Sequence, residues 1–236
     1  MKIAIMEPYF FPYLGHFDLI HSVDHWIVFD TAQYIRHGWG NRNRILHPNS
    51  GWQYIVAPLV KYHQKTPFNG MFFNMRTDWK AFIIRQLAHY EQNAPHYLIV
   101  LEFLTECFAN PEINLAKFNT ANFTKTARLL DINTPISVFS EMGLTLGPVD
   151  GPGDWGLRIT QALGANELIN PPRGAPFMDQ DYYAENGVKL SFQKFHNMTY
   201  GTGKYPFEPA LSILDVMMWN TPAEIKQYLD TFREQE

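Results

Sequence analysis

Four apolar residues, Ile3-Ala4-Ile5-Met6, run up to Pro8, and a second apolar run, Trp26-Ile27-Val28-Phe29, ends in the carboxylate of Asp30. Between them Phe17, Leu19, Ile20 and Val23 recur at a spacing closer to 3.6 than to 2. Strand, loop, helix and strand within about 30 residues is the size of a βαβ unit. Strands joined in that way run parallel, because a parallel partner needs a long crossover where an antiparallel one needs only a tight turn. No other feature constrains the fold as much.

The remaining chain keeps the alternation. Residues 54–57 read as a strand stopped by Pro58, and a helix capped by Thr77 or Asp78 runs through Trp79, Phe82, Ile83, Leu87 and Tyr90. Two further helices are expected, one between Pro95 and Pro111 and one over residues 112–130, followed by a strand at 136–139. A loop at 143–153 precedes a helix over 155–163 that Gly164 stops. Strands are read at 168–170 and 188–195. Ser212 is placed to cap a helix, and Thr221-Pro222-Ala223-Glu224 starts the last one with a capping box and a proline at its first position. The expected class is α/β: a mostly parallel, doubly wound sheet, nucleotidylyltransferase- or Rossmann-like, with added helices. With 236 residues, 46% of them hydrophobic, the chain suits a single domain over 1–236, with room for a helical insertion at about 77–130.

A net charge of −4 argues against nucleic acid as a partner, since such proteins carry a basic footprint. The opening apolar run is too short for a secretory signal, and no segment has the roughly 20 apolar residues of a transmembrane helix. The cytoplasm is the expected compartment. The one cysteine, Cys107, lies in an apolar helical run and reads as a small core residue.

Ligands of open parallel sheets bind beyond the carboxyl ends of the strands. Two unusual loops fall there. The first, EPYFFPYLGH at residues 7–16, brings Tyr9, Phe10 and Tyr13 as ring walls and Gly15 and His16 to a helix start, where free N–H groups favour phosphate. It is also readable as an apolar plug over the sheet. The second follows Asp30 and holds Gln33, Arg36, His37, Trp39, Asn41, Arg42, Asn43 and Arg44. Arginine binds phosphate bidentately and asparagine offers both donor and acceptor to sugar hydroxyls, although a solvated basic loop has the same composition. Trp39 favours the ligand reading. His37 is the better acid–base candidate of the loop, with Asp30 beside it.

Other signatures are missing. The nine histidines show no H-E-x-x-H spacing, so no metal ligands are assigned, and there is no Walker loop, G-x-G-x-x-G or G-x-S-x-G. Gly201-Thr202-Gly203-Lys204 lacks the spacing of a phosphate loop, and Ser212 with Asp215 does not make a hydrolase triad. No cofactor is indicated. Tyr13-Leu14-Gly15-His16 faintly resembles the His-x-Gly-His turn of nucleotidylyltransferases, with Tyr13 in place of the first histidine.

Four segments taken in order are more specific: KIAIMEPYFFPYLGHFDLI, QYIRHGWGNRNRI, WKAFIIRQLAHYEQNAPHY and FEPALSILDVMMWN, together spanning most of the chain. They resemble the WbqC-like protein family, with Glu7 and His16 where that family's pattern has Gln and Tyr. The resemblance implies a bacterial protein of surface-polysaccharide (O-antigen) biosynthesis that acylates or aminoacylates the amine of a nucleotide-linked amino sugar, using an acyl thioester donor or carrier protein. In that reading Arg36, Arg42 and Arg44 hold the pyrophosphate, Tyr9, Phe10, Tyr13 and Trp39 stack on base or sugar, and His37 or Asp30 takes the amine proton. A non-catalytic nucleotide-sugar-binding or assembly protein and a nucleotidyltransferase-like enzyme are the alternatives.

Overall fold

The computed structural model describes residues 1–231. β1 (Lys2–Met6) leads through α1 (Leu14–His21) to β2 (His25–Val28). A hairpin, β3 (Arg42–Leu46) and β4 (Trp52–Val56), precedes three helices, α2 (Trp79–Leu87), α3 (Tyr97–Phe108) and α4 (Leu115–Leu129). The alternation resumes with β5 (Ile136–Val138), α5 (Asp154–Ala162), β6 (Glu167–Asn170), α6 (Gln180–Glu185) and β7 (Lys189–Phe192), and α7 (Ile213–Trp219) and α8 (Pro222–Thr231) follow.

Five strands form one sheet, all parallel, in the spatial order β5-β2-β1-β6-β7. The chain winds outward from β1 to β5, returns to the other side of β1 at β6, and winds outward again to β7. The order reverses between β1 and β6, which is the switch point where such sheets open a crevice. Strand alternation sends successive side chains to opposite faces. Ala4 and Met6 join the larger core with Phe17, Trp26 and Phe123, whose rings lie 5.0 Å apart in the Phe17–Phe123 and Trp26–Phe123 pairs. Ile3 joins the second core with Leu157 of α5, Leu168, Tyr183 of α6 and Leu190. Helices therefore cover both faces, as the α/β, Rossmann-like expectation required.

Local signals explain where helices begin and stop. Asp78 accepts from the Ala81 N–H at the head of α2, Asn114 from Lys117 N–H at the head of α4, and Ser212 from Leu214 N–H at the head of α7. The expected box is present at α8: Glu224 accepts from Thr221 N–H at 2.7 Å and donates its own N–H to the Thr221 hydroxyl at 3.2 Å. Gly164 ends α5 with φ of 62°, a left-handed value that costs glycine little.

The hairpin departs from expectation. Residues 33–43 read as loop throughout, yet Arg42 and Asn43 pair antiparallel with Val56 and Ile55, outside the main sheet. The turn His47-Pro48-Asn49-Ser50-Gly51 closes it, with Gly51 at φ 67° and His47 N–H donating to Gly51 O. Among the described residues no helix is long and apolar enough to cross a membrane.

Candidate functional site

A cavity of about 580 Å³ lies at the β1/β6 switch point, within the roughly 300–1,000 Å³ of small-molecule sites. Its floor is the carboxyl end of β1 and β6, through Ile5, Met6, Glu7, Leu168 and Asn170. Phe29 and Trp155, with ring centroids 5.4 Å apart, form one side with Phe177 and Met178. Tyr9, Tyr13 and His16 form another, and Trp39, Asn43 and Arg44 reach it from the hairpin side.

The two loops singled out in the sequence do meet. Phe10 N–H donates to Trp39 O at 2.9 Å, and Asn43 Nδ2 donates to Phe10 O and Phe11 O at 3.0 and 2.9 Å. From α4, Asn119 Nδ2 donates to Pro8 O at 2.8 Å and Gly40 O at 2.7 Å, so one buried amide ties both loops. These bonds hold Phe11 at φ 40°, a strained value for a residue with a ring.

Within the first loop, alternate residues part. Phe10 is wholly buried against Phe11, Trp79 and Phe118 and belongs to the core. Tyr9 and Tyr13 face the cavity. Gly15 does not line it but makes room for it: a Cβ there would lie 2.4 Å from the Tyr13 ring. Tyr13 is the N-cap of α1 yet supplies no side-chain cap; in the first turn the His16 N–H donates to Tyr13 O at 3.0 Å. His16 follows in the first turn, 5% exposed, with its ring 5.1 Å from Tyr9 and 5.3 Å from Tyr13 and its Nε2 without a hydrogen-bond partner. Burial pushes this imidazole down to about 3, so it is neutral at physiological pH.

Glu7 reaches the cavity from the strand end. Burial raises its carboxyl above the ordinary range, opposed by hydrogen bonds from its own backbone and from the Tyr9 hydroxyl. Burial and then the Glu7 charge push the Tyr9 phenol well up, while the charge of Arg173 draws it, and the Tyr13 phenol, the other way. Arg173 sits in the turn Pro171-Pro172-Arg173-Gly174 after β6 and lines the same cavity. Gly174 lets that turn close, since a Cβ would lie 1.9 Å from Asn170 Nδ2.

Most of the second loop binds the protein itself. Asn41 accepts from Tyr34 OH at 2.6 Å and donates to Ala57 O at 2.8 Å. Arg42 donates to Gly38 O and His37 O and lies 4.1 Å over the Tyr54 ring, away from the cavity. Arg44 donates to Ala210 O and rests 5.5 Å and 5.1 Å from the Trp39 and Trp52 rings, with Nε unpartnered at the cavity wall. Gln33 donates to Gln64 O, and Arg36 and His37 are exposed outside the lining, His37 in a left-handed turn at φ 62°. Asp30 is buried and accepts from Ser140 N–H, Ser140 Oγ and Asn69 Nδ2, joining three segments behind the cavity rather than lining it. Glu7, Phe29, Trp155, Asn170 and Arg173 were not singled out as candidates. The Pro171-Pro172-Arg173-Gly174 turn directly after an apolar strand is the signal that marks the last of them. No described group of three or more His, Cys, Asp or Glu is arranged to hold a metal ion.

The chain matches the WbqC-like protein family over residues 7–227. A relative from Mycobacterium tuberculosis, described as Uncharacterized protein Rv1507c, is 28% identical over 241 residues, covering 99% of each chain. No solved structure matches the chain.

Proposed function

The chain belongs to the WbqC-like protein family, and from that premise we propose that the switch-point cavity takes a nucleotide-linked amino sugar and that the protein transfers an acyl or aminoacyl group to its amine. The observation that carries this reading is a single crevice holding an anion-capable end, ring walls and a carboxyl. The uncapped start of α1 and the Arg173 guanidinium suit the diphosphate. Tyr9, Tyr13, Trp39 and Trp155 offer faces for base and sugar. Neutral His16 suits a hydrogen bond to substrate better than carriage of a proton. The setting is bacterial surface-polysaccharide synthesis, with an acyl thioester or carrier-bound acyl group as donor.

The test pairs calorimetry with mass spectrometry. Arg173→Ala is expected to weaken binding of UDP- or dTDP-linked amino sugars about 30-fold, the loss of a charge-assisted bidentate contact of roughly 2 kcal/mol. Incubation with acyl thioesters is expected to give an N-acylated sugar nucleotide. Binding without product favours a non-catalytic binding protein, and unchanged affinity in the variant overturns the phosphate assignment. A second reading, nucleotidyl transfer, draws on the unpartnered Nε2 of His16 at a strand-to-helix turn. It requires pyrophosphate release from a nucleoside triphosphate with Mg²⁺.

A further inference from the structure

We propose that Glu7 selects the substrate by its amine: the carboxyl receives a ligand ammonium in the space bounded by the Tyr9, Phe29 and Trp155 rings. This rests on the nucleotide-sugar reading and adds the substrate's charged group and the residue that recognises it. Glu7 is the first residue beyond β1, at the switch point, and lines the cavity with those three rings. Its partners are its own backbone and the Tyr9 hydroxyl, and it makes no ion pair among the described residues. A carboxylate drawn into a ring-lined cavity without a counter-ion is costly, and desolvation accordingly holds this one toward its neutral form. A ligand ammonium supplies the missing charge, and ring faces attract the same cation. A hydroxyl or an N-acetyl group at that position supplies neither.

The same contact prepares acyl transfer. One proton passes from the ammonium nitrogen to a Glu7 carboxylate oxygen, leaving a neutral amine and a carboxylic acid. The nitrogen lone pair forms the C–N bond to the carbonyl carbon of an acyl thioester, the C–S bond breaks, and the sulfur departs with its electron pair. The second nitrogen proton goes to that sulfur, giving amide and thiol, and Glu7 returns its proton to solvent. The other titratable groups facing the cavity are Tyr9, Tyr13, His16, Arg44 and Arg173. Tyr9 and Tyr13 are raised and His16 is lowered to about 3, so none of these three exchanges a proton in the neutral range.

Calorimetry separates this inference from the reading beneath it. The probes are a nucleoside diphosphate, its amino-sugar conjugate, and the matching conjugates with a hydroxyl or an N-acetyl in place of the amine. The parent protein is expected to prefer the amine about 30-fold over either analogue. In Glu7→Gln that preference falls to within about 3-fold while the nucleoside diphosphate binds as before, which also reports that the fold is intact. Equal affinity of the parent for amine and hydroxyl conjugates, or an undiminished preference in Glu7→Gln, overturns the role of Glu7 alone. Failure of the parent to bind any nucleotide overturns the nucleotide-sugar reading, and this inference with it.

Discussion

Two loops reach the cavity from neighbouring strands of the fold, and they use their polar groups in opposite ways. In residues 41–44 the asparagines and arginines hydrogen-bond to the protein: Asn41 to Tyr34 and Ala57, Arg42 to two carbonyls, Asn43 to two more, Arg44 to Ala210. In residues 7–16, among the described residues, the carboxyl of Glu7 has no counter-ion, Nε2 of His16 has no hydrogen-bond partner, and α1 starts without a side-chain cap. The loop richer in charge mostly builds the wall, with Nε of Arg44 its open group at the cavity, and the loop richer in rings brings the carboxyl and imidazole left open there. Buried polar groups are normally paired, so those left open in a cavity are the better guide to a ligand than the number of charges in a loop.

Breaking the tie between the loops has the largest expected effect. Asn119→Ala leaves Pro8 O and Gly40 O without their donor inside the protein. Each buried carbonyl so orphaned costs about 1–3 kcal/mol, so urea unfolding is expected to show a loss of about 4 kcal/mol. A loss under about 1 kcal/mol would mean that the loops are held together by other contacts.

Acid acts on the ring-rich loop through His16. The His16 imidazole has its folded value depressed to about 3 by burial, whereas the unfolded chain has the ordinary value near 6.5. As pH falls below about 6.5 the unfolded state takes up a proton that the folded state does not, so stability declines toward acid and stops declining near the folded value. At pH 4 this amounts to about 3 kcal/mol. Asp215, raised to about 6 by burial, acts with the opposite sign, losing stability as pH rises between its ordinary and folded values. The difference between His16→Phe and the parent isolates the histidine. The variant is expected to match the parent at pH 7.5 and to exceed it by about 3 kcal/mol at pH 4 in urea titrations; parallel curves would place the imidazole in contact with solvent.

The smallest effect distinguishes wall from ligand contact. Arg42→Ala removes two hydrogen bonds to carbonyls and a cation–ring contact at a partly exposed position, a loss of about 1 kcal/mol in stability. Nucleotide-sugar affinity is expected to change less than about 2-fold, against the larger change for Arg173→Ala. An affinity loss for Arg42→Ala equal to that for Arg173→Ala would move the anion site to the hairpin.

Much of the architecture was legible because it depends on local periodicity. The βαβ opening, the Asp78, Ser212 and Thr221 caps and the Gly164 stop follow from side-chain spacing and from the hydrogen bonds a short polar residue makes to its own neighbours. The hairpin was not read, since its first strand, Arg42-Asn43-Arg44-Ile45-Leu46, begins with three polar residues that resemble loop. Of the site, the two loops and the residues Tyr9, Tyr13, His16, Trp39, Asn43 and Arg44 stand out in the sequence and line the cavity. Arg173 and Trp155 do not, because 166 residues separate Arg173 from Glu7 along the chain (173 − 7) and only the reversal of strand order makes β1 and β6 neighbours.

The amino-acid sequence alone determined a parallel α/β fold and the identity of the loop that follows its first strand, since backbone stiffness and apolar spacing act over a few residues. Tertiary structure decided which side chains remain unpaired in the crevice and which are consumed in holding it. Whether a carboxylate, a guanidinium or an imidazole finds a partner is set by distant segments brought together on folding, and no local pattern encodes that distance.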